Sequence, residues 1–164
     1  MQQVFLGIGG NLGNKRENFK RAHSFIENEL GKILQTSSVY ETPPWGFRAK
    51  ESFWNQVLLI ETDYSPEVVL KKIHDIEEQF GRKRDAKNYA SRKMDIDILY
   101  YDDIFQEEKN LIIPHPLLHQ RKFVLVPLTE IAPQFKHPLL RLTSIQMMEN
   151  CHDESVIKKL DETI

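Results

Sequence analysis

Asp95 and Asp97 stand one residue apart in Met94-Asp95-Ile96-Asp97-Ile98, a segment that alternates apolar and acidic residues with the two-residue period of a strand. Met94, Ile96 and Ile98 fall on one face and the carboxylates on the other, anchored roughly 6.6 Å apart at the rise of an extended chain. Aspartate is disfavoured inside strands, so two on one face ask for a reason. Hard oxygen donors at that spacing suit Mg²⁺, which takes one or two carboxylates and fills its octahedron with waters and substrate phosphates. Two ions about 3.5–4 Å apart can share such a pair. Just upstream, residues 82–93 hold Arg82, Lys83, Arg84, Lys87, Arg92 and Lys93 against Asp85 alone, a local charge of +5 in a chain that totals −2. By itself an Asp-x-Asp strand is more often a solvated polar face, and a basic loop more often a solvated loop. Cations for a polyphosphate beside carboxylates for its metal, within sixteen residues, read together as a nucleoside triphosphate site.

Other residues are less specific. Phe53 and Asn55 share one face of a strand-like segment, an aromatic plane beside an amide. They suit a flat heterocycle, and equally a core aromatic beside a satisfied amide. Ile113-Pro114-His115-Pro116 holds a histidine between two prolines, as a rigidly presented ligand or an ordinary loop residue. Phe123, beside Arg121, has a core reading as well. Gly7-Ile8-Gly9-Gly10-Asn11-Leu12-Gly13 echoes a dinucleotide fingerprint, but Leu12 occupies the last glycine position and a tight strand-to-helix turn accounts for it. No P-loop motif occurs, and no histidine has zinc-like spacing with Cys151.

The elements that carry these residues follow from pattern. Gln2–Asn11, Ile33–Thr42, Phe53–Thr62 and Met94–Tyr101 read as strands, and Leu111–Ile113 as a shorter extended piece. Asn14 caps a first helix that carries Phe19, Ala22, Phe25, Ile26 and Leu30 and stops at Gly31. Ser65-Pro66-Glu67 opens a second, with Val69, Ile73, Ile76 and Phe80, closed by Gly81. Short helices are expected at Gln120–Leu125, Leu128–Ala132 and Thr143–Asn150, with another over 153–162. The order β-α-β-β-α-β plus a helical C-terminal third predicts an α+β, ferredoxin-like antiparallel sheet backed by helices.

With 164 residues, 40% hydrophobic and 28% charged, the chain has the composition of one soluble globular domain, 1–164, and not of a disordered tail, a fibre or a disulfide scaffold. Its apolar runs are far short of the ~20 residues that span a bilayer. The absence of a secretory pattern at Met1-Gln2-Gln3 and a lone cysteine predict a reducing, cytoplasmic setting.

Taken in order, Gly9-Gly10-Asn11-Leu12-Gly13, Ser37-Ser38-Val39-Tyr40-Glu41-Thr42-Pro43-Pro44, Phe53-x-Asn55, Glu77-x3-Gly81-Arg82-x-Arg84, Arg92-x2-Asp95-Ile96-Asp97-Ile98 and Pro114-His115-Pro116-x4-Arg121-x-Phe123-Val124-Leu125-x-Pro127-Leu128 resemble the motifs of the 6-hydroxymethyl-7,8-dihydropterin pyrophosphokinases of folate biosynthesis. The resemblance implies transfer of the β,γ-diphosphate of ATP to the pterin hydroxymethyl group, with release of AMP. It implies that Asp95 and Asp97 hold two Mg²⁺ ions and that Arg82 and Arg92 clamp the moving phosphates. His74, Glu77, Arg84, Tyr89, Ile98, His115 and Arg121 match ATP-binding positions. Gly9, Thr42, Pro43, Trp45, Phe53, Asn55 and Phe123 match the pterin pocket, with Phe53 and Phe123 as its stacking faces. The resemblance also implies a monomer that acts on small molecules, without nucleic acid or membrane partners. Where the family reads R-W-G-P-R before the aspartates, this chain has Asn88-Tyr89-Ala90-Ser91-Arg92. Alanine for glycine restricts the backbone there and serine for proline releases it.

Two rival classes make different predictions. A ligand-sensing module would bind without turnover, and leaves the aspartates beside the arginines unexplained. An RNA-binding sheet needs a broad basic face, yet outside 82–93 the chain carries 16 cations against 23 carboxylates, a charge of −7.

Overall fold

The computed structural model describes residues 1–43, 51–81 and 92–164. In chain order the elements are β1 (Gln2–Gly10), α1 (Lys15–Glu29), β2 (Lys32–Thr36), β3 (Tyr40–Thr42), β4 (Phe53–Thr62), α2 (Pro66–Gln79), β5 (Asp95–Tyr101), β6 (Gln106–Glu108), β7 (Leu111–Ile113), a 3₁₀ turn (Leu118–Gln120), α3 (Lys122–Ile131), α4 (Ser144–Glu149) and β8 (Lys158–Lys159). The two long helices start where their caps predict. Asn14 Oδ1 accepts the Glu17 amide at 3.1 Å, and Ser65 Oγ accepts that of Val68 at 3.4 Å ahead of Pro66. Gly81 ends α2 with φ 82°, a left-handed conformation that only glycine adopts freely. Gly31 works differently. Its φ is not positive, but a Cβ there would stand 2.1 Å from the Glu61 carbonyl oxygen, so the position needs glycine for close approach of two backbones.

The sheet runs β5-β1-β4-β3-β8, with β2 also on β4, and every pairing is antiparallel. This is an α+β architecture with four helices. Val4, Leu6, Ile8, Leu58, Ile60, Ile96 and Ile98 pack with Phe19, Ile26, Val69 and Ile73 of α1 and α2. On the opposite face Phe5, Val57, Leu59, Leu99 and Tyr100 meet Val124, Leu125 and Leu128 of α3 and Met147 of α4. A register shift between Phe5 and Leu6 pairs Phe5 with Tyr100 and Leu6 with Ile98. Leu99 is thus the extra residue, and Leu99 and Tyr100 both join the α3 side, as a bulge allows. The α3 layer covers only part of its face; the uncovered part is where Gly7 and Gly9 of β1, Asn55 of β4 and Asp95 and Asp97 of β5 lie.

Three expectations are corrected. The strand Ile33–Thr42 is two, β2 and β3, because Ser37 breaks the ladder: its Oγ accepts the Val57 amide at 2.9 Å. The two short helices around Pro127 are one, α3, which carries that proline buried in its interior; burial of Val124, Leu125 and Leu128 outweighs the lost backbone bond. Residues 153–162 are not helical. They run extended, with Lys158 and Lys159 paired to Glu41 and Tyr40 and the Leu160 amide on the Val39 carbonyl at 2.9 Å. A free edge at β3 offers unpaired backbone groups that a short helix would not satisfy. The C-terminal third is therefore helical only through α3 and α4. Among the described residues no helix is long and apolar enough to cross a membrane.

Candidate active site

Strand register assembles the site. Asp95 lies opposite Gly9 of β1, Gly9 opposite Asn55 of β4, and Asn55 opposite Tyr40 of β3. One step along, Asp97 lies opposite Gly7 and Gly7 opposite Val57. The glycines put two carboxylates and an amide around a floor that has no side chains of its own. A Cβ on Gly9 would sit 2.5 Å from Asn55 Oδ1 and 3.1 Å from the Trp54 carbonyl oxygen, so the glycine is what lets Asn55 lie over the strand.

Above this floor is a cavity of about 480 Å³, walled by Thr42, Phe53, Asn55, Arg121 and Phe123 and reaching Arg92, Asp95 and Asp97. The Thr42 hydroxyl is buried without a hydrogen-bond partner among the described residues, a polar atom that calls for a ligand. A second cavity of about 340 Å³ is lined by His74, Glu77, Ile98 and His115, and by Lys109 and Asn110 of the β6–β7 turn. Asp95 and Asp97 border both cavities.

Side-chain and backbone hydrogen bonds fix these residues in place. Arg92 Nη1 donates to Asp95 Oδ1 at 3.1 Å. The Arg92 amide donates to Asn11 Oδ1 at 2.9 Å and its carbonyl accepts the Asn11 amide at 2.9 Å. Asn11 is fully buried, and its Nδ2 also donates to the Glu51 carbonyl at 3.4 Å. On the other side, Glu77 Oε2 accepts the Ile96 amide at 2.9 Å. His115 is held neutral in the pocket: burial lowers its pKa more than Asp95 raises it, and Nδ1 accepts the Leu117 amide at 3.1 Å, which leaves the ring proton on Nε2. Burial likewise lowers the pKa of Arg121, whose guanidinium lies 5.5 Å from the Phe123 ring centre.

Most of the residues singled out in the sequence come together here. Gly9, Thr42, Phe53, Asn55, Phe123, Arg92, Asp95 and Asp97 share the larger cavity, and His74, Glu77, Ile98 and His115 the smaller. Arg121, expected on the nucleotide side, borders the larger cavity beside Phe123 because it stands at the start of α3, two residues before that ring. Glu77 is only 4% exposed and bound to strand backbone, so it shapes the wall as well as lining it. Pro43 is exposed at the end of β3 and is not part of the lining. Trp45, Arg82, Arg84 and Tyr89 lie outside the described residues. Sequence reasoning missed Lys109 and Asn110, which carry no motif, and Asp153, which had no signal in a stretch read as helix.

A family model described as 7,8-dihydro-6-hydroxymethylpterin-pyrophosphokinase matches residues 5–133. The 2-amino-4-hydroxy-6-hydroxymethyldihydropteridine pyrophosphokinase of Aquifex aeolicus is 40% identical over 141 residues, which cover 86% of this chain and 87% of the relative. The folic acid synthesis protein FOL1 of Dictyostelium discoideum is 40% identical over 147 residues, 90% of this chain but 22% of that protein. A crystal structure of Plasmodium falciparum HPPK-DHPS with pteroate superimposes with TM-score 0.74 over 91% of this chain and 44% of that one, at 19% identity, and supports the fold alone. Motifs, fold and the match over residues 5–133 agree: the chain belongs to the 7,8-dihydro-6-hydroxymethylpterin-pyrophosphokinase family.

Proposed function

We propose that this chain transfers the β,γ-diphosphate of ATP to the hydroxymethyl oxygen of 6-hydroxymethyl-7,8-dihydropterin, releasing AMP, as a Mg²⁺-dependent step of folate biosynthesis. The observation that carries this reading is the position of Asp95 and Asp97, which border two cavities of different character at once. A group transfer between two substrates needs such a junction. The pterin occupies the larger cavity between Phe53 and Phe123, with Asn55 and the unpartnered Thr42 hydroxyl meeting its polar edge. ATP occupies the smaller one, along His74, Ile98 and His115.

The donor set at the junction fits Mg²⁺. It consists of two hard carboxylates, and no group of three or more metal-ligating side chains exists among the described residues. That suits an ion that draws its remaining ligands from phosphates and water. Asp95 and Asp97 would hold two such ions, which neutralise the phosphate charge and lower the pKa of the attacking hydroxyl. The chain's own part is positioning. Arg92, fixed at its backbone by Asn11, and Arg82 clamp the transferred phosphates, while the aromatic pair aims the hydroxymethyl group at the β-phosphorus. That oxygen forms the new bond as the α,β-bridging oxygen leaves on AMP. We take the antiparallel core to be ferredoxin-like, and the chain to act as a cytoplasmic monomer on small molecules.

The test is incubation with Mg-ATP and 6-hydroxymethyl-7,8-dihydropterin. AMP and the pterin diphosphate accumulate in equal amounts; formation of ADP, or of no product, overturns the reading.

A further inference from the structure

The family match ends at residue 133, but the cavity wall does not. Asp153 lines the larger cavity, delivered by the extended C-terminal segment that β8 pins to the edge of β3. Helix α3 begins at Lys122 and has no capping side chain of its own, since Arg121 at the N-cap makes no such bond. Asp153 Oδ2 fills that role from 31 residues away, accepting the Lys122 amide at 3.0 Å. Its other oxygen, Oδ1, accepts the Ser155 amide at 2.9 Å and the Ser155 hydroxyl at 2.5 Å. Burial alone would raise the pKa of this carboxyl, yet the bonds from Ser155 and Lys122 hold it below the ordinary value, so an anion sits at the positive end of α3. The residues on either side of the capped amide are Arg121 and Phe123, both of which line the cavity.

We propose that Asp153 is a positioning residue for the pterin: by capping the first amide of α3 from the C-terminal segment, it sets where Phe123 and Arg121 face the larger cavity. The inference rests on the pterin reading of that cavity. It assigns to a segment beyond the family match a part in substrate binding, through α3 and not through contact with the reacting atoms.

The experiment compares the full-length wild type with Asp153→Ala and Asp153→Asn. Kd and KM are measured for 6-hydroxymethyl-7,8-dihydropterin and for Mg-ATP, and thermal unfolding is followed in parallel. Asp153→Ala is expected to weaken the pterin about five- to tenfold, the scale of a lost N-cap, with Mg-ATP changed less than twofold. Asp153→Asn keeps an oxygen for the Lys122 amide but turns its NH2 toward the Ser155 amide, which then loses its acceptor, so it should recover only part of the pterin affinity. Unchanged pterin binding in Asp153→Ala overturns the proposal. So does an equal loss for both ligands alongside a lowered Tm, which marks a merely structural tail. If Asp153→Asn binds the pterin no better than Asp153→Ala at an unchanged Tm, an acceptor for the Lys122 amide is not what positions this wall, and the positioning role is again overturned. A wild-type chain that neither binds nor turns over the pterin defeats the pterin reading itself, an outcome separate from wild-type binding that Asp153→Ala leaves intact.

Discussion

The Glu77 carboxylate reaches from α2 to the Ile96 amide at 2.9 Å, and Ile96 is the residue between Asp95 and Asp97. β5 is an edge strand, so amides on its outer side have no neighbouring strand to bond. A carboxylate that is itself buried satisfies one of them and fixes the strand that presents both acidic groups. Glu77→Ala is therefore expected to lower stability by about 1–3 kcal/mol, the cost of a buried unpaired amide, and to lower kcat. Glu77→Gln keeps an acceptor and should retain most of the stability. Urea unfolding of both variants checks this; equal losses in the two would show that charge, not the strand bond, is what matters.

Asp95→Asn and Asp97→Asn preserve the shape of the polar strand face and open no apolar void. Each should cut AMP formation by about a thousandfold or more, the scale of several kcal/mol of lost transition-state charge stabilisation, with Tm little changed. Rates measured across a Mg²⁺ titration are the check. Near-wild-type turnover at limiting Mg²⁺ in either variant would falsify the metal assignment.

Phe123→Ala and Phe53→Ala each remove an aromatic lining residue of the larger cavity, and neither residue lines the smaller one. Each should weaken the pterin at least tenfold, since a stacking face adds about 1 kcal/mol to the area it buries. ATP affinity should stay within about twofold, as expected for a group that makes no contact with it. Titration calorimetry with each ligand separates the cases, and parallel weakening of both would place these rings in the core.

Gly9→Ala would put a methyl group 2.5 Å from Asn55 Oδ1. The amide must swing out of the cavity, so the pterin KM should rise much more than the ATP KM. An unchanged pterin KM would mean that Asn55 has no part in recognition.

His23, His115 and His137 all have pKa values lowered chiefly by burial. The sign follows from linkage. A histidine that is harder to protonate when folded contributes stability in full above about pH 6.5, the unfolded value. That stability is lost as pH falls through the folded values, because the unfolded chain then binds more protons. The urea midpoint should accordingly drop between pH 7.5 and 5.5, before the carboxylates Glu130 and Asp153, whose pKa values are held low, contribute to acid unfolding. A flat midpoint over that interval would count against burial of these rings.

How much of this was legible in the chain itself depends on the range of the interaction. The alternation around Asp95 and Asp97, the caps at Asn14 and Ser65 and the strand Phe53–Thr62 are local, because side-chain period and amide capping act over a few residues. Those features already told which residue types could hold a metal and a phosphate, and the motif spacing told which family uses them. The meeting of Asp95 with Gly9 and Asn55 across three strands, the extra residue Leu99 in β5, the two cavities sharing one carboxylate pair and the capping of α3 by Asp153 are set by register and packing between segments far apart in sequence. No local propensity encodes such pairings. The segment 153–162 illustrates the difference: its composition allows a helix, and the open edge of β3 instead draws Lys158 and Lys159 into a short strand.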